Sequence, residues 1–324
     1  MSNAKGFDAT GEIVPETTYG TLATGTEEQL RLVSETLTHD IEPLMNEAKD
    51  GAGAARKAST KDLEQGGGTV VCEFDYDNAH QLLFGGMGGY AAGPPKVYSL
   101  TEELTKIYSI VIDRTIKRFQ FTGGMIEELR IIGDAQTSKI HIETDWVFNG
   151  VTQSVVFMAD PGLVSSGVAL MSQMTFRIGD TGDALAAGDA LAISSFVLAI
   201  KNNLKIDFAS GDTGMIQPIR DTQREVTLGI VAPRYNSEAE ITAIMTAATG
   251  HTIMQADLTW NGPGTDAITI LLPEMHTSKV PDPQVAGFNA LAFAADFNCY
   301  KNINNQTYMA SAANVEALVT VANA

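Results

Sequence analysis

The stretch 138–149 constrains the fold more than any other part of the chain. Ile140, Ile142, Thr144, Trp146 and Phe148 fall on one side of a period-two pattern, with His141, Glu143 and Asp145 on the other. Successive side chains of an extended strand point to opposite faces, so this segment reads as a strand with one dry face and one wet face. Such a strand belongs in an antiparallel sheet that packs on a core from one side. The same rhythm recurs in TVVCEFDY, where Val70, Cys72, Phe74 and Tyr76 oppose Val71, Glu73 and Asp75. Further strand candidates are 109–122, 125–132, TQSVVFM, MTFRIG, LAISSFVLAIKNNLKIDF, REVTLGIVA, IMQADLTW, DAITILLPEM and GFNALAFAADFNCY.

Helical spacing is confined to short stretches. NAHQLLFGG predicts one turn or two of helix, closed by Gly85 and Gly86. In SEAEITAIMTAATG, Ser237 and Glu240 form a capping box, Ile241, Ile244, Met245 and Ala248 form one apolar stripe, and Gly250 suits the C-terminal cap. Residues 27–48 stay open between two readings. Leu30, Val33, Leu37, Ile41 and Leu44 have helical spacing, but the Thr-rich RLVSETLTHDI suits a strand, and Pro43 would break a helix late. Residues 1–25 read as an extended arm, and 49–68, rich in Gly, Ala, Lys and Ser, as a mobile loop.

Two stretches share one order of elements. TVVCEFDY, a helix and then strands through Phe148 match REVTLGIVA, a helix and then strands through Tyr300. The expected fold is therefore α+β, mostly β, with two similar units each flanked by one helix. Residues 1–68 form an arm and long loop of the first unit, 69–188 the first unit proper, and 189–324 the second.

Composition and motifs exclude more than they assign. The 324 residues hold 39 acidic and 21 basic side chains, a formal net charge of −18. A surface so acidic repels duplex DNA rather than gripping its phosphates. No run of 18 apolar residues occurs, so no helical membrane span is expected, and the first thirty residues carry no secretory-signal pattern. Cys72 and Cys299, the only cysteines, cannot make a disulfide framework or a four-thiolate zinc site. His39, His80, His141, His251 and His276 are scattered and form no H-E-x-x-H. His141 and Glu143 match half of a zinc-deaminase signature, without the P-C-x-x-C half, and read as a solvated strand face. Asp75 and Asp77 open like a calcium loop but lack its later Gly and Glu. GGMGG lacks the Lys-Ser of a P-loop and follows a helix where a phosphate loop would precede one. No G-x-S-x-G elbow occurs, and Glu127 and Glu128, adjacent on a strand, point to opposite faces. No catalytic, cofactor or metal site is expected, and a structural or binding protein is favoured over an enzyme.

Several segments, in order along most of the chain, carry a family likeness. GEIVPETTYGTLAT, GGGTVVCEFDYDNAHQLLFGGMGG, RFQFTGGMIEELRIIGD, ISSFVLAIKNNL and LLPEMHTSKVPDPQVAGFNALAFAADF resemble bacteriophage tail tube proteins, the major tail proteins of long-tailed phages, in their longer form. Residues 49–68 and 150–188 match least. The resemblance implies β-sandwich or barrel-like units that join edge to edge into rings, and rings that stack into a tube together with other tail proteins. Two units per chain imply a trimeric, pseudo-hexameric ring; a hexamer of one elaborated unit is the alternative. DNA would meet the tube only in transit, without tight binding. Glu73, Asp75, Glu143 and Asp145, on the wet faces, are then the candidates for an acidic lumen. The implied location is the virion tail, after assembly in the host cytoplasm. The competing readings are the inner tube of a contractile injection or secretion system, and a ligand-binding β protein.

Overall fold

The structure, a computed structural model, describes residues 9–22, 27–44, 60–76, 79–92, 95–115, 117–154, 167–181, 184–209, 214–233, 239–262, 266–278, 292–300 and 318–322. The chain runs through β1 (Thr10–Pro15), β2 (Glu28–Leu30), β3 (Leu32–Glu35), β4 (Thr38–Leu44), β5 (Thr60–Glu73), α1 (His80–Met87), β6 (Gly88–Ala91), β7 (Lys96–Leu100), β8 (Tyr108–Asp113), β9 (Arg118–Asp134), β10 (Ile140–Phe148) and β11 (Gly150–Ser154). It continues through β12 (Met174–Asp180), β13 (Ser195–Lys201), β14 (Leu204–Lys205), β15 (Ile219–Arg220), β16 (Glu225–Ala232), α2 (Ala239–Gly250), β17 (Met254–Asn261), β18 (Ala267–Thr277), β19 (Phe293–Tyr300) and β20 (Leu318–Ala322). The fold is α+β and mostly β, and all the pairings between these strands are antiparallel.

Of the open segment 27–48, the described residues 27–44 form strands. β3 and β4 both pair with β5, and Pro43 sits where the register shifts, on an edge strand that needs no N–H from it. The same edge is capped by side chains. The Leu37 N–H donates to Glu35 Oε2 at 2.8 Å, and the Leu37 carbonyl accepts from Arg114 Nη2 at 2.8 Å. Such caps keep an exposed edge from pairing at random. Residues 10–15 are no arm: Ile13 and Val14 are buried, and β1 pairs with β8 along its whole length.

Glycine is where the structure departs most from the sequence-based expectation. The run Gly66–Gly67–Gly68 lies inside β5, not in a loop. A Cβ on Gly66 would fall 2.9 Å from Val151, and one on Gly68, at φ +135°, 2.5 Å from the Thr36 carbonyl. Gly85 and Gly86 do not close α1 but lie within it, pressed against Tyr108 and Leu129. The helix ends two residues after Gly86, at Gly88, whose φ is +90°. In α2, Ser237 lies outside the described residues. Ile241, Ile244, Ala247 and Ala248 are buried, and Gly250 remains helical. His251 takes the left-handed cap position instead, at φ +53°.

The expected break at Gly123–Gly124 is a kink within one strand. Gly123 adopts φ +66°, and β9 passes there from one sheet into another. Its first part pairs with β8 and β11, and its second with β10 and β13. A strand that changes sheets turns a flat sheet into a sandwich corner. Aromatic side chains fill the gap between the layers. Tyr108 meets Trp146 edge-on at 6.0 Å, and Phe121 meets Phe148 at 5.2 Å. β18 repeats the device, pairing first with β20 and then with β19.

The pairings recur in chain order. The set β1–β8–β9–β11 returns as β12–β17–β18–β20, and β4–β5–β10–β9 returns as β13–β16–β19–β18. One helix follows β5 and the other follows β16. β12, which lies within 69–188, pairs with β17 rather than with any earlier strand. The two sets join edge to edge. β13 lies against β9, from Ser195 opposite Asp134 to Lys201 opposite Glu128, and β20 lies against β7.

Asn202, fully buried, secures the first junction. Its side-chain amide donates to Gly86 O at 3.1 Å and Ile126 O at 3.0 Å, its Oδ1 accepts from Arg224 Nε at 2.8 Å, and its backbone N–H donates to Glu127 O. Asn202→Ala strands two buried carbonyls and a guanidinium, and should cost about 2–4 kcal/mol in urea unfolding; a loss below about 0.5 kcal/mol would mean that the node does not hold the junction. His80 offers a second check. Its ring packs on Phe84, Tyr90 and Tyr98, its Nδ1 lies 2.8 Å from the Tyr98 hydroxyl, and burial, with Lys96 nearby, lowers its pKa to about 4. Only the unfolded chain takes up this proton between pH ~6.5 and ~4, so His80 makes the fold less stable as pH falls through that window. In thermal melts His80→Phe should flatten that part of the pH profile, and an unchanged slope would contradict the assignment.

Candidate functional site

The even-numbered side chains of β10 and β16 face the core, and the odd-numbered ones face away. Because β5, β10, β9, β13, β16 and β19 pair in that order, their outward side chains form one continuous wet face. Its rows can be read across the strands. One runs Thr69, Asp145, Glu128, Lys201, Glu225. The next runs Val71, Glu143, Arg130, Ala199, Thr227, Asn298, and a third Glu73, His141, Ile132, Val197, Gly229, Asp296. The first row alternates charge where the two strand sets meet, with Lys201 between Glu128 and Glu225. The third carries an apolar patch at the same junction, where Val197 is 40% exposed.

Three of the four lumen candidates lie on this face. Glu73 pairs with Lys139 at 2.8 Å. Glu143 lies 3.4 Å from Arg130 Nε, and Asp145 3.0 Å from Arg130 Nη2. Asp145 also accepts from the Thr69 hydroxyl at 2.5 Å. Glu128 lies 3.8 Å from the same guanidinium, so one cation serves three carboxylates. The fourth candidate does not share the face. Asp75 is only 1% exposed and is held by Arg31 at 2.6 Å, because β5 ends at Glu73 and the alternation ends with it.

The sequence reading missed Glu128, Arg130, Lys201, Glu225 and Asp296. A period-two pattern marks each of these strands, but alternation alone does not say which strand lies beside which. The half-buried Glu16 is structural. Glu16 accepts from Ser109 Oγ at 2.5 Å and from the Gly20 and Gly123 amides at 2.8 Å each, and burial still raises its pKa. Cys72 and Cys299 are buried thiols, and burial pushes the Cys72 pKa far up. Among the described residues no group of three or more His, Cys, Asp or Glu side chains is placed to hold a metal ion. No described helix is long and apolar enough to cross a membrane.

A family model described as phage tail tube protein matches residues 6–299. A comparison with curated protein sequences finds no match.

The shared cation gives the face a measurable salt response. Arg130→Gln leaves three neighbouring carboxylates without it. The groups are partly exposed, so the cost in urea unfolding should be about 1 kcal/mol or less at low ionic strength. It should shrink in 1 M salt, where screening acts within about 3 Å. An equal cost at both salt concentrations would contradict the electrostatic reading.

Proposed function

The chain belongs to the phage tail tube protein family, and from that premise we propose that its copies join edge to edge into rings, that the rings stack into a hollow tube, and that genomic DNA passes through this tube into the host cell. It is a structural protein of the phage tail, located in the virion. Its role in this reading is mechanical rather than enzymatic. Assembly with the other tail proteins takes place in the host cytoplasm, and DNA is met only in transit.

One observation carries the proposal: a single sheet with a continuous wet face runs through both strand sets. A ring made by repeating that junction from chain to chain closes by rotation and leaves no open edge. We assign residues 10–154 to one tube unit and 174–322 to the other. The recurrence of the strand pairings supports this division, and so does the pairing of β12 with β17. Two units per chain need three chains for a pseudo-six-fold ring; six chains of one elaborated unit would be the alternative.

The wet face would line the channel, with Glu73, Glu143 and Asp145 joined by Glu128, Glu225 and Asp296. A conduit for a polyanion must not hold it, and a carboxylate lining repels phosphates over about 8–10 Å at ordinary salt. Purified protein should form tubes with a regular axial repeat in negative-stain electron microscopy; a chain that stays monomeric at high concentration would contradict the reading. Phage carrying Glu73→Lys, Glu225→Lys and Asp296→Lys together should build normal tails but eject DNA slowly or not at all. Ejection at the normal rate would remove these residues from the lumen.

A further inference from the structure

The lower end of the sheet is where β13 and β19 finish and β16 begins. At this end an open cleft of about 1430 Å³ lies between the second strand set and Leu100, Thr101 and Glu102 of the first. Thr222, Arg224, Glu274, His276 and Tyr300 are among the residues that line it. Glu274 is unusual there. Its residue is only 7% exposed, and its Oε1 has no hydrogen-bond partner among the described residues. Burial raises its pKa, with His276 pulling the other way. A buried carboxylate oxygen without a donor is costly, and a molecule tolerates one chiefly where a partner supplies the donor.

The first strand set shows what occupies the matching place. Gly66 opposite Phe148, the last pair of β5 and β10, corresponds to Val226 opposite Cys299, the last pair of β16 and β19, and the bulges opposite Gly124 on β9 and Met275 on β18 give the same match. Counted from that match, Glu64 on β5 corresponds to Arg224 in the cleft wall. Glu64 is not open. The hairpin that leaves β13 and returns to β16 crosses beneath the first set, and its Gly214 forms a bridge with Glu64. The hairpin is also held where Tyr19 Oη donates to the Ile216 carbonyl at 3.3 Å. One unit's hairpin thus reaches under its neighbour. The first set has its own counterpart, the hairpin between β4 and β5. Its sequence between Leu44 and Thr60 carries Lys49, Arg56 and Lys57.

We infer that the cleft is a socket for the β4–β5 hairpin of a second copy of this chain, the next one round the ring, and that Glu274 accepts a hydrogen bond from a basic side chain of that hairpin. The inference rests on the ring reading above. It makes the contact between chains the same kind of contact that the structure holds within one chain.

Glu274→Gln removes the charge and keeps the shape. The unassembled variant should melt at or above the wild-type temperature, since an unpaired buried carboxylate is relieved. Its critical concentration for tube formation should rise about tenfold or more, the scale of one charge-assisted hydrogen bond. Glu274→Lys should form no tubes, and adding Arg56→Glu and Lys57→Glu to it should restore them. Glu274→Gln tubes at the wild-type concentration, or no rescue by the exchanged charges, would overturn the socket while leaving the ring reading intact. Wild-type protein that forms no tubes would overturn both.

Discussion

The pairing of β9 with β13 is the constraint on which the rest of the structure depends. It turns two strand sets into one sheet, so that one dry face and one wet face run across the whole chain. A sheet needs every edge paired, covered or capped. Within the chain β9 and β13 satisfy one another, β20 covers β7, and Asn202 ties the base of the hairpin to the end of α1. Among the described residues no strand lies beside the outer edge at Leu37, and Glu35 and Arg114 cap it. The repeat and the edges together are what make a closed ring of chains a physical expectation and not only a family habit.

Charge is distributed to match. The formal charge of −18 belongs to the whole chain, but its arrangement on the wet face is local. Arg130 and Lys201 stand between carboxylates, so strands that would repel one another can pair. This is the sheet counterpart of alternating charges on a helix, and each such contact is modest on its own. The face keeps a surplus of carboxylates after those pairings. An excess of charge that destabilises a single chain slightly is useful where a polyanion must slide past without binding.

The alternation in β10 was legible at once, because a period of two is a property of neighbouring residues. So were the apolar stripe of α2 and the common order of elements. The glycines were not. In sequence Gly66–Gly68 and Gly85–Gly86 read as turn signals, yet each lies where another part of the chain comes close: the Thr36 carbonyl, Val151, Tyr108 and Leu129. Close approach is a property of the partner, which the local sequence does not contain. Asp75 went astray for a related reason. Local alternation put it on the wet face, while Arg31 holds it inside. Residues 10–15 lacked a clear period because β1 is paired on both sides, by β2 and β8, and buried from Gly11 to Val14, and 27–44 because they form short strands at the edge, where packing imposes less pattern.

The central claim is that one chain supplies two units of a ring. Electron cryo-microscopy of assembled tubes, reconstructed without imposed symmetry around the axis, tests it most directly. The account predicts three chains per ring, with two similar but non-identical units alternating around the channel and the wet face of β5, β10, β9, β13, β16 and β19 turned inward. Six identical chains per ring, or a channel lined by any other face, would contradict it.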